Sequence, residues 1–294
     1  SADYDVNDEV PFQLTATLPT NEADFAAYKT YKLVFHDQQS AGLTFNKKSV
    51  VVKYGDKTLG AGSYTVTENP EDKDTFDNRN YVIVTYDATL NANAEIGLDG
   101  NPNSVYLEFS NNPNVGGEGE TGKTTTDKVI VFTYQLDINK TFNGGTPAEN
   151  DLPKFKLYKF DSTTNDYTID RGEVTITKTE GGKYAASFKR VDDGKYKLVE
   201  TKTPAGFNTA ADTLFEITAD HDVESDNPQL TVLKINTTDG NTTTGTVTAD
   251  VVNQKGSNLP STGGMGTVML YVAGIAVFVL AGATLVMALR RRNA

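Results

Sequence analysis

Hydrophobic and polar residues alternate in short runs along the first part of the chain, and turn-forming residues separate the runs. Alternation at every second position predicts half-buried β-strands, because successive side chains of a strand point to opposite faces of its sheet. The predicted strands cover residues 11–18, 31–37, 49–55, 63–69, 81–90 and 104–111. Together they predict a first β-sandwich over residues 1–112.

The stretch 127–256 alternates in the same way and predicts a second β-sandwich. Residues 113–126, PNVGGEGETGKTTT, are rich in glycine and threonine and lack apolar periodicity, so we predict a linker there. The fold class predicted is all-β, with two sandwich domains in tandem.

Three polar residues of the second domain fall on faces that are otherwise apolar. Lys140, Glu200 and Asn253 each come at the end of a run of alternate apolar positions on separate predicted strands. A polar group turned inward is costly unless it is paired or neutral. From the residues alone, one interpretation is a buried Lys–Glu ion pair with the asparagine as a hydrogen-bonded neighbour. The other is a reactive group.

The last 27 residues have a different pattern. Residues 268–289 contain no charge, and a helix of 22 residues would span about 33 Å, enough for a bilayer core of about 30 Å. Arg290, Arg291 and Arg292 follow directly, which predicts that this end stays in the cytoplasm and that residues 1–260 lie outside. We therefore predict a C-terminal transmembrane helix within a segment 257–294.

Composition narrows the functional classes. The net charge is −12 and no basic patch is evident, so nucleic acid is excluded as a partner. There is no Cys and only two His, so we predict no disulfide, no metal site and no Cys/His catalytic pair. No phosphate-binding motif follows a strand, and we predict no cofactor.

The segment before the apolar run, Leu259-Pro260-Ser261-Thr262-Gly263, resembles the LPXTG sorting signal of sortase substrates. The pentapeptide, the apolar span and the basic tail coincide, which makes the resemblance specific. It implies that a sortase cysteine attacks the carbonyl of Thr262, expels Gly263 with the membrane segment, and passes the chain to an amine. The membrane insertion is then transient, and the arginine tail retards release.

The second domain resembles the Cna B-type pilin domain, an immunoglobulin-like β-sandwich. The likeness is carried by Lys140, by YKLVETKTPAGF at 196–207 and by the pair Val252-Asn253. The resemblance implies an isopeptide bond between Lys140 and Asn253, assisted by Glu200 as a proton shuttle.

The first domain resembles the fimbrial D2-type domain, through DVNDEVPFQLTATLP, YKTYKLVFHDQQSAGLTF and VYLEFSNNPN. This implies a second Lys–Asn bond. Asn111 follows Phe109 on one face and is the candidate acceptor, with Glu68 as a candidate acid; Asn111 as an ordinary turn residue is the alternative. The first predicted strand contains no lysine that could form this bond. We expect the missing lysine to lie upstream of Ser1, and we expect the lysine that accepts the next subunit to lie there too.

These resemblances imply a structural subunit of a covalent pilus on a Gram-positive surface. Its expected partners are a pilin-specific sortase, other pilin subunits, and peptidoglycan or a basal pilin at the cell wall. The alternative is a wall-anchored or pilus-associated adhesin that is joined only once. No catalytic constellation supports a surface enzyme.

Overall fold

The computed structural model describes residues 1–18, 26–66, 81–115, 119–222, 225 and 227–256. Residues 1–254 form one compact unit. The first nine strands are β1 (Ala2–Asp3), β2 (Glu9–Thr17), β3 (Leu33–Gln39), β4 (Leu43–Tyr54), β5 (Lys57–Thr58), β6 (Tyr81–Leu90), β7 (Asn101–Asn112), β8 (Glu120–Lys123) and β9 (Asp127–Phe132).

Ten further strands complete the described part of the chain. They are β10 (Tyr134–Asn143), β11 (Lys154–Asp161), β12 (Asp166–Thr175), β13 (Thr177–Lys178), β14 (Tyr184–Val191), β15 (Gly194–Lys202), β16 (Thr213–His221), β17 (Leu230–Ile235), β18 (Thr238–Asp239) and β19 (Thr246–Gln254). The predicted all-β fold class is confirmed. No helix in the described ranges is long and apolar enough to cross a membrane, and the predicted span 268–289 lies outside them.

Strands β1 to β9 build the first sandwich from two sheets. One sheet has the order β2-β6-β4-β5, and the other has the order β1-β9-β7-β3 with β8 also paired to β7. In β2 buried and exposed residues alternate strictly, which places Val10, Phe12, Leu14 and Ala16 in the core. The alternation is the physical reason that this segment forms a strand covered on one face only.

Strands β10 to β19 build the second sandwich. Its sheets have the orders β13-β14-β10-β19 and β12-β11-β15-β16-β17-β18. The first and last of these ten strands, β10 and β19, lie side by side and parallel, with Lys140 opposite Val251 and Phe142 opposite Asn253. This register places the inward side chains of the two strands on one face, within the core between the sheets.

The strand pairing divides the domains at a different place from the predicted linker. Residues 120–123 within that linker form β8, and β9 belongs to a sheet of the first sandwich. Strand β9 serves both cores, because Val131 packs in the first while Ile130 and Phe132 pack in the second. The change of sheet comes at Thr133, between β9 and β10, within an apolar run that showed no break in the sequence.

The first sandwich also corrects one predicted strand. Five of its six predicted ranges fall on β2, β3, β4, β6 and β7. The sixth does not, because residues 63–66 lie in a bend and coil, and residues 67–69 lie outside the described part of the chain.

Two glycines allow the sandwiches to touch. Gly97 has φ +92°, and a Cβ there would lie 2.7 Å from the backbone nitrogen of Gly245. Gly245 has φ +65°, and its Cβ would lie 2.5 Å from the Cα of Gly97. Both contacts are shorter than carbon atoms tolerate, so this approach of the two backbones requires glycine on both sides.

The substitution Gly97→Ala is expected to destabilise the protein by at least twice as much as Gly182→Ala. Gly182 also has positive φ, at +75°, but a Cβ there meets nothing within 4 Å. The control therefore carries only the backbone strain of about 1–2 kcal/mol, whereas Gly97→Ala adds the steric overlap. Chemical denaturation of the two variants measures the difference, and equal losses would contradict the close packing of this junction.

Candidate functional site

Lys140 is a lysine buried inside the second sandwich. It lies on β10 and is 3% exposed. Its Nζ donates to the backbone oxygens of Thr141, at 3.1 Å, and of Val251, at 3.3 Å, and lies 4.6 Å from the centre of the Phe142 ring. The amine is therefore held between β10 and β19 by neutral groups.

Burial changes the protonation of this amine. Loss of hydration lowers the pKa of Lys140 from 10.5 to about 8, and the negative charge of Glu200 opposes the shift only in part. An amine is a nucleophile only in its neutral form, so the fold makes a larger fraction of Lys140 reactive near neutral pH.

Glu200 and Asn253 form the second half of the site. They are 6% and 1% exposed. The Nδ2 of Asn253 donates to both carboxylate oxygens of Glu200, at 2.9 and 3.0 Å, and to the carbonyl of Asn208, at 2.8 Å. The backbone N–H of Ala210 donates to Glu200 Oε2. The carboxylate thus lies directly against the amide nitrogen of Asn253.

The other end of the Asn253 amide has no partner. Its Oδ1 is buried and accepts no hydrogen bond. Most buried polar atoms in proteins are paired, so a buried amide oxygen without a partner is unusual. This arrangement can support attack of an amine on the amide carbon, with the carboxylate carrying a proton to the departing nitrogen.

Aromatic rings cover the site from one side. Phe142 packs edge-on against Phe207, with ring centres 5.1 Å apart, and against Tyr184, at 4.9 Å. Phe207 belongs to the loop between β15 and β16, which also supplies the Asn208 carbonyl. This loop corresponds to the TPAGF part of the sequence box, and it keeps water from the three polar groups.

The sequence predicted that these three residues lie on inward faces, and the structure confirms their burial. Glu200 bonds to Asn253, and its charge acts on Lys140, so the three buried residues are linked through the carboxylate. The isopeptide bond predicted between Lys140 and Asn253 stays a prediction.

The two candidate residues in the first sandwich, Asn111 and Glu68, are not found in such a cluster within the described residues. Asn111 is exposed, because β7 is irregular between Ser110 and Asn112 and the alternation of faces breaks there. The prediction that it continues the inward face of Phe109 was wrong. Glu68 lies outside the described residues.

A second polar cluster in this sandwich was missed. Asn103 is 3% exposed, and its Nδ2 donates to Asp37 Oδ1, at 2.9 Å, and to the hydroxyl of Tyr86, at 2.7 Å. Tyr86 donates in turn to Asp37 Oδ2, at 2.8 Å. The Oδ1 of Asn103 is buried without a partner, as in Asn253. The signal was present, since Asn103 begins the same alternating face that includes Val105 and Phe109.

The first sandwich also holds a buried lysine that the sequence did not reveal. Lys32 lies just before β3 and donates to Glu108 Oε1, at 2.8 Å. Glu108 also contacts His36 Nε2, at 2.9 Å. The hydrogen bond from Lys32 is the main cause that lowers the pKa of Glu108 to about 2. Lys32 and His36 therefore form a hydrogen-bonded network around the carboxylate of Glu108.

One group within the described ranges has the spacing of metal ligands. Carboxylate oxygens of Asp3, Asp192 and Asp193 lie within 4.8 Å of one another. Cationic or neutral donors of the protein already contact two of them, since Lys159 binds Asp192 and His221 binds Asp3. We assign no metal to this group.

The sorting residues lie beyond the described part of the chain. Leu259, Pro260, Thr262, Gly263 and the arginines 290–292 all fall there. Their assignment rests on the sequence.

Known protein families match both the second sandwich and the C-terminal segment of the chain. Residues 135–229 match the family model of the SpaA prealbumin-like fold domain, and residues 251–294 match that of the LPXTG cell wall anchor motif. Over 237 residues the chain is 30% identical to the trypsin-resistant surface T6 protein of Streptococcus pyogenes serotype M6. That match covers 71% of this chain and 41% of the T6 protein.

Solved structures show the same fold. The T6 backbone pilin of S. pyogenes superposes with a TM-score of 0.59 at 22% identity, covering 86% of this chain and 66% of that one. Domains D2 and D3 of the major pilin SpaD from Corynebacterium diphtheriae superpose with a TM-score of 0.54 at 17% identity, covering 86% and 96%.

The fold and the anchor define a class, that of cell-wall-anchored surface proteins built from tandem β-sandwiches. Within it, the chain carries the LPXTG cell wall anchor motif and is similar in sequence to the T6 surface protein and in fold to the T6 backbone pilin. Its location is extracellular, at the cell wall. The chain spans about two fifths of the length of the T6 protein.

The lowered pKa of Lys140 predicts a pH dependence in a chain that lacks the acceptor amide. The pKa of Lys140 is about 8 in the folded chain, and we expect Asn253→Ala to keep it well below the value of about 10.4 of an unfolded lysine. The cost of burying the charged amine is present in full below pH 8, and it is relieved as pH rises toward 10.4. The thermal midpoint of this variant should therefore rise between pH 8 and 10.

The matched control for this titration is the double variant Lys140→Met/Asn253→Ala, which has no amine to titrate. Its midpoint should lack the rise. Identical pH profiles for the two variants, measured by circular dichroism, would show that Lys140 is not held in the desolvated position.

Proposed function

We propose that this protein is a structural subunit of a sortase-assembled covalent pilus, stabilised by an isopeptide bond that it forms within itself. The observation that carries the proposal is the buried cluster of Lys140, Glu200 and Asn253 in a chain that ends in an LPXTG anchor. Sequence similarity to the T6 protein and the backbone-pilin fold support the same conclusion.

The bond forms by exchange of one amine for another. The neutral Nζ of Lys140 attacks the side-chain carbonyl carbon of Asn253, and a proton passes from the lysine nitrogen through Glu200 to the departing amide nitrogen. Ammonia leaves, and a new amide joins the two side chains. The reaction needs no oxidant, cofactor or other protein, because the atoms gained and lost balance within the site.

The fold supplies what the reaction needs. The parallel pairing of β10 and β19 holds the reacting residues on one face, so that the step is effectively unimolecular. Glu200 lies against the nitrogen that departs, at 2.9 Å, and is therefore placed to protonate it. Exclusion of water by Phe142 and Phe207 keeps the amine neutral and prevents hydrolysis of the amide.

The bond would tie together the first and last strands of the second sandwich. It closes a loop of roughly 110 residues, for which a chain-entropy estimate is about 4–5 kcal/mol. Tension that enters at β10 and leaves at β19 would then pass through a covalent bond, and the sandwich between them would not need to resist it.

The anchor supplies the assembly step. A sortase thiolate breaks the amide between Thr262 and Gly263 and holds the protein as a thioester. The amine of another subunit, or of peptidoglycan or a basal pilin, then takes the threonine carbonyl and restores the thiolate. Each transfer adds one covalent link, which extends the pilus or attaches it to the wall.

The first sandwich has a candidate for a second bond of the same kind, with Asn103 as the acceptor and Asp37 as the acid. Asn103 lines a cavity of about 230 Å³ whose wall includes Ser1 and Ala2. Asp37 is more exposed than Glu200, and this difference predicts slower chemistry. A lysine engineered ahead of Ser1 should yield a further loss of ammonia, and Asn103→Ala should abolish it.

Removing the lysine tests the cross-link in the second sandwich. The folded wild-type chain should weigh one ammonia less than its sequence, and Lys140→Ala should restore the full mass. The variant should also melt lower, on the order of 15 °C, since a closed loop is lost. Intact-mass spectrometry and scanning calorimetry give the two readouts.

Glu200→Gln tests the role of Glu200 in proton transfer apart from its role in packing, because glutamine keeps the shape of the side chain but has no carboxylate. It should fold but remain mostly unlinked. Lys178→Ala, at an exposed position, serves as the control and should match wild type in mass and midpoint. A wild-type mass equal to the full sequence would reject the cross-link.

The sorting step has its own test. Incubation of the full chain in detergent with a pilin-specific sortase and triglycine should give a product that ends at Thr262 joined to the added amine. Pro260→Ala should slow the reaction at least tenfold, because the proline holds the segment extended for the enzyme. Cleavage at any other bond, found by mass spectrometry, would contradict the assigned signal.

A further inference from the structure

Residues 1–8, here called the strap, lie across both sandwiches before the chain enters β2. Within the strap, β1 pairs in parallel with the end of β9, with Ala2 opposite Val131 and Asp3 opposite Phe132. The next amide, of Tyr4, donates to the carbonyl of Phe132, at 3.1 Å. The strap therefore begins at the place where the chain passes from the first sandwich to the second.

The strap then bonds to each sandwich in turn. The N–H of Val6 donates to the carbonyl of Arg190 in the second sandwich, at 2.9 Å. The N–H of Asn7 donates to the carbonyl of Leu90 in the first, at 2.7 Å. Arg190 has φ +61°, which is unusual for a residue with a long side chain. Its Nε also donates across the junction, to the carbonyl of Ala94, at 2.8 Å.

Asp5 is the centre of these contacts. It is 0% exposed, and the bonding partners of its carboxylate come from the second sandwich. Oδ2 lies 2.6 Å from Arg171 Nη2 and 3.0 Å from Lys159 Nζ. Oδ1 accepts from the N–H of Asp192, at 2.8 Å. A carboxylate without water is held here by two cations and a backbone amide.

The electrostatics around Lys159 support a strong contact. Burial alone would lower the pKa of Lys159, but the carboxylates of Asp5 and Asp192 outweigh it and raise the pKa above 10.5. The attraction therefore exceeds the desolvation cost on the lysine. Breaking such a pair by removing one partner is costly, because an unpaired charge remains buried.

The position of the strap decides where tension would run. Strands β2 to β8 of the first sandwich lie in the chain between β1 and β9, and these two strands are bonded directly. Because β1 and β9 are parallel, pulling on Ser1 and on the chain after β9 shears them. Two residue pairs and the hydrogen bond from Tyr4 to Phe132 resist that shear, and Asp5 adds a direct bond from the strap to the second sandwich.

We propose that the strap is a mechanical clamp: tension applied at Ser1 passes through Asp5 and the β1–β9 pairing into the second sandwich, and the first sandwich carries little of it. The inference rests on the proposed role of this protein as a subunit under load. The first sandwich is then a side domain that stays folded under tension, free to present its loops.

Single-molecule pulling on the full chain in detergent tests the clamp. The chain has no cysteine, so a single Lys255→Cys gives one unique attachment point. Together with a handle fused ahead of Ser1, it fixes the two points between which the chain is pulled. In wild type the first sandwich should unfold only after the clamp breaks, with a gain of about 40 nm in contour length. In Asp5→Asn the same gain should occur at roughly half the force, because two cations lose their partner.

The matched control is Asp8→Asn, another acid of the strap. Asp8 is partly exposed and lies 3.5 Å from Arg171, so its removal should change the force little. If Asp5→Asn unfolds, Lys159→Gln removes one cation and leaves Arg171 in place, and it should give an intermediate force.

A second pulling geometry separates a clamp from general stability. When the handle is moved to Lys48→Cys on β4, tension enters the first sandwich directly, and Asp5→Asn should then leave the force nearly unchanged. An equal loss of force in both geometries, or no loss when pulling at Ser1, would overturn the clamp. The cross-link mass of Asp5→Asn should stay that of wild type, so failure of the clamp and failure of the pilus proposal are distinguishable.

Discussion

The burial of one amine constrains the rest of this molecule. Lys140 lies where water cannot solvate its charge, and the neutral form gains at the expense of the ammonium. The same lack of water leaves the amide oxygen of Asn253 without a partner. A site of this kind is costly as a set of separate polar groups, and a covalent bond between them would remove that cost.

The cluster depends on the topology of the sandwich. Lys140 and Asn253 are far apart in sequence, and they meet because the first and last strands of the domain pair in parallel. A shift of that register by one residue would turn one of the two side chains to the outer face. The contacts of Asp5 also depend on strand pairing, since Asp5 reaches the second sandwich only if β1 pairs with the end of β9.

The sequence predicted the burial of Lys140, Glu200 and Asn253 because alternation holds along β10, β15 and β19, and each of these polar residues falls on a buried position. It failed at Asn111, where a local irregularity in β7 reverses the exposure that alternation implies. It also misplaced the domain boundary, since β9 packs into both cores and shows no break in its pattern. Contacts such as Asp5 with Arg171 join distant segments and leave no periodic signal.

The central claim is that the fold itself drives Lys140 and Asn253 to join. Tryptic digestion of the unfolded wild-type chain, followed by tandem mass spectrometry, tests it most directly. A single branched peptide containing both residues, lighter by one ammonia than its two parts, is the predicted result. Recovery of the two parts as separate peptides, with Asn253 unmodified, would contradict the account.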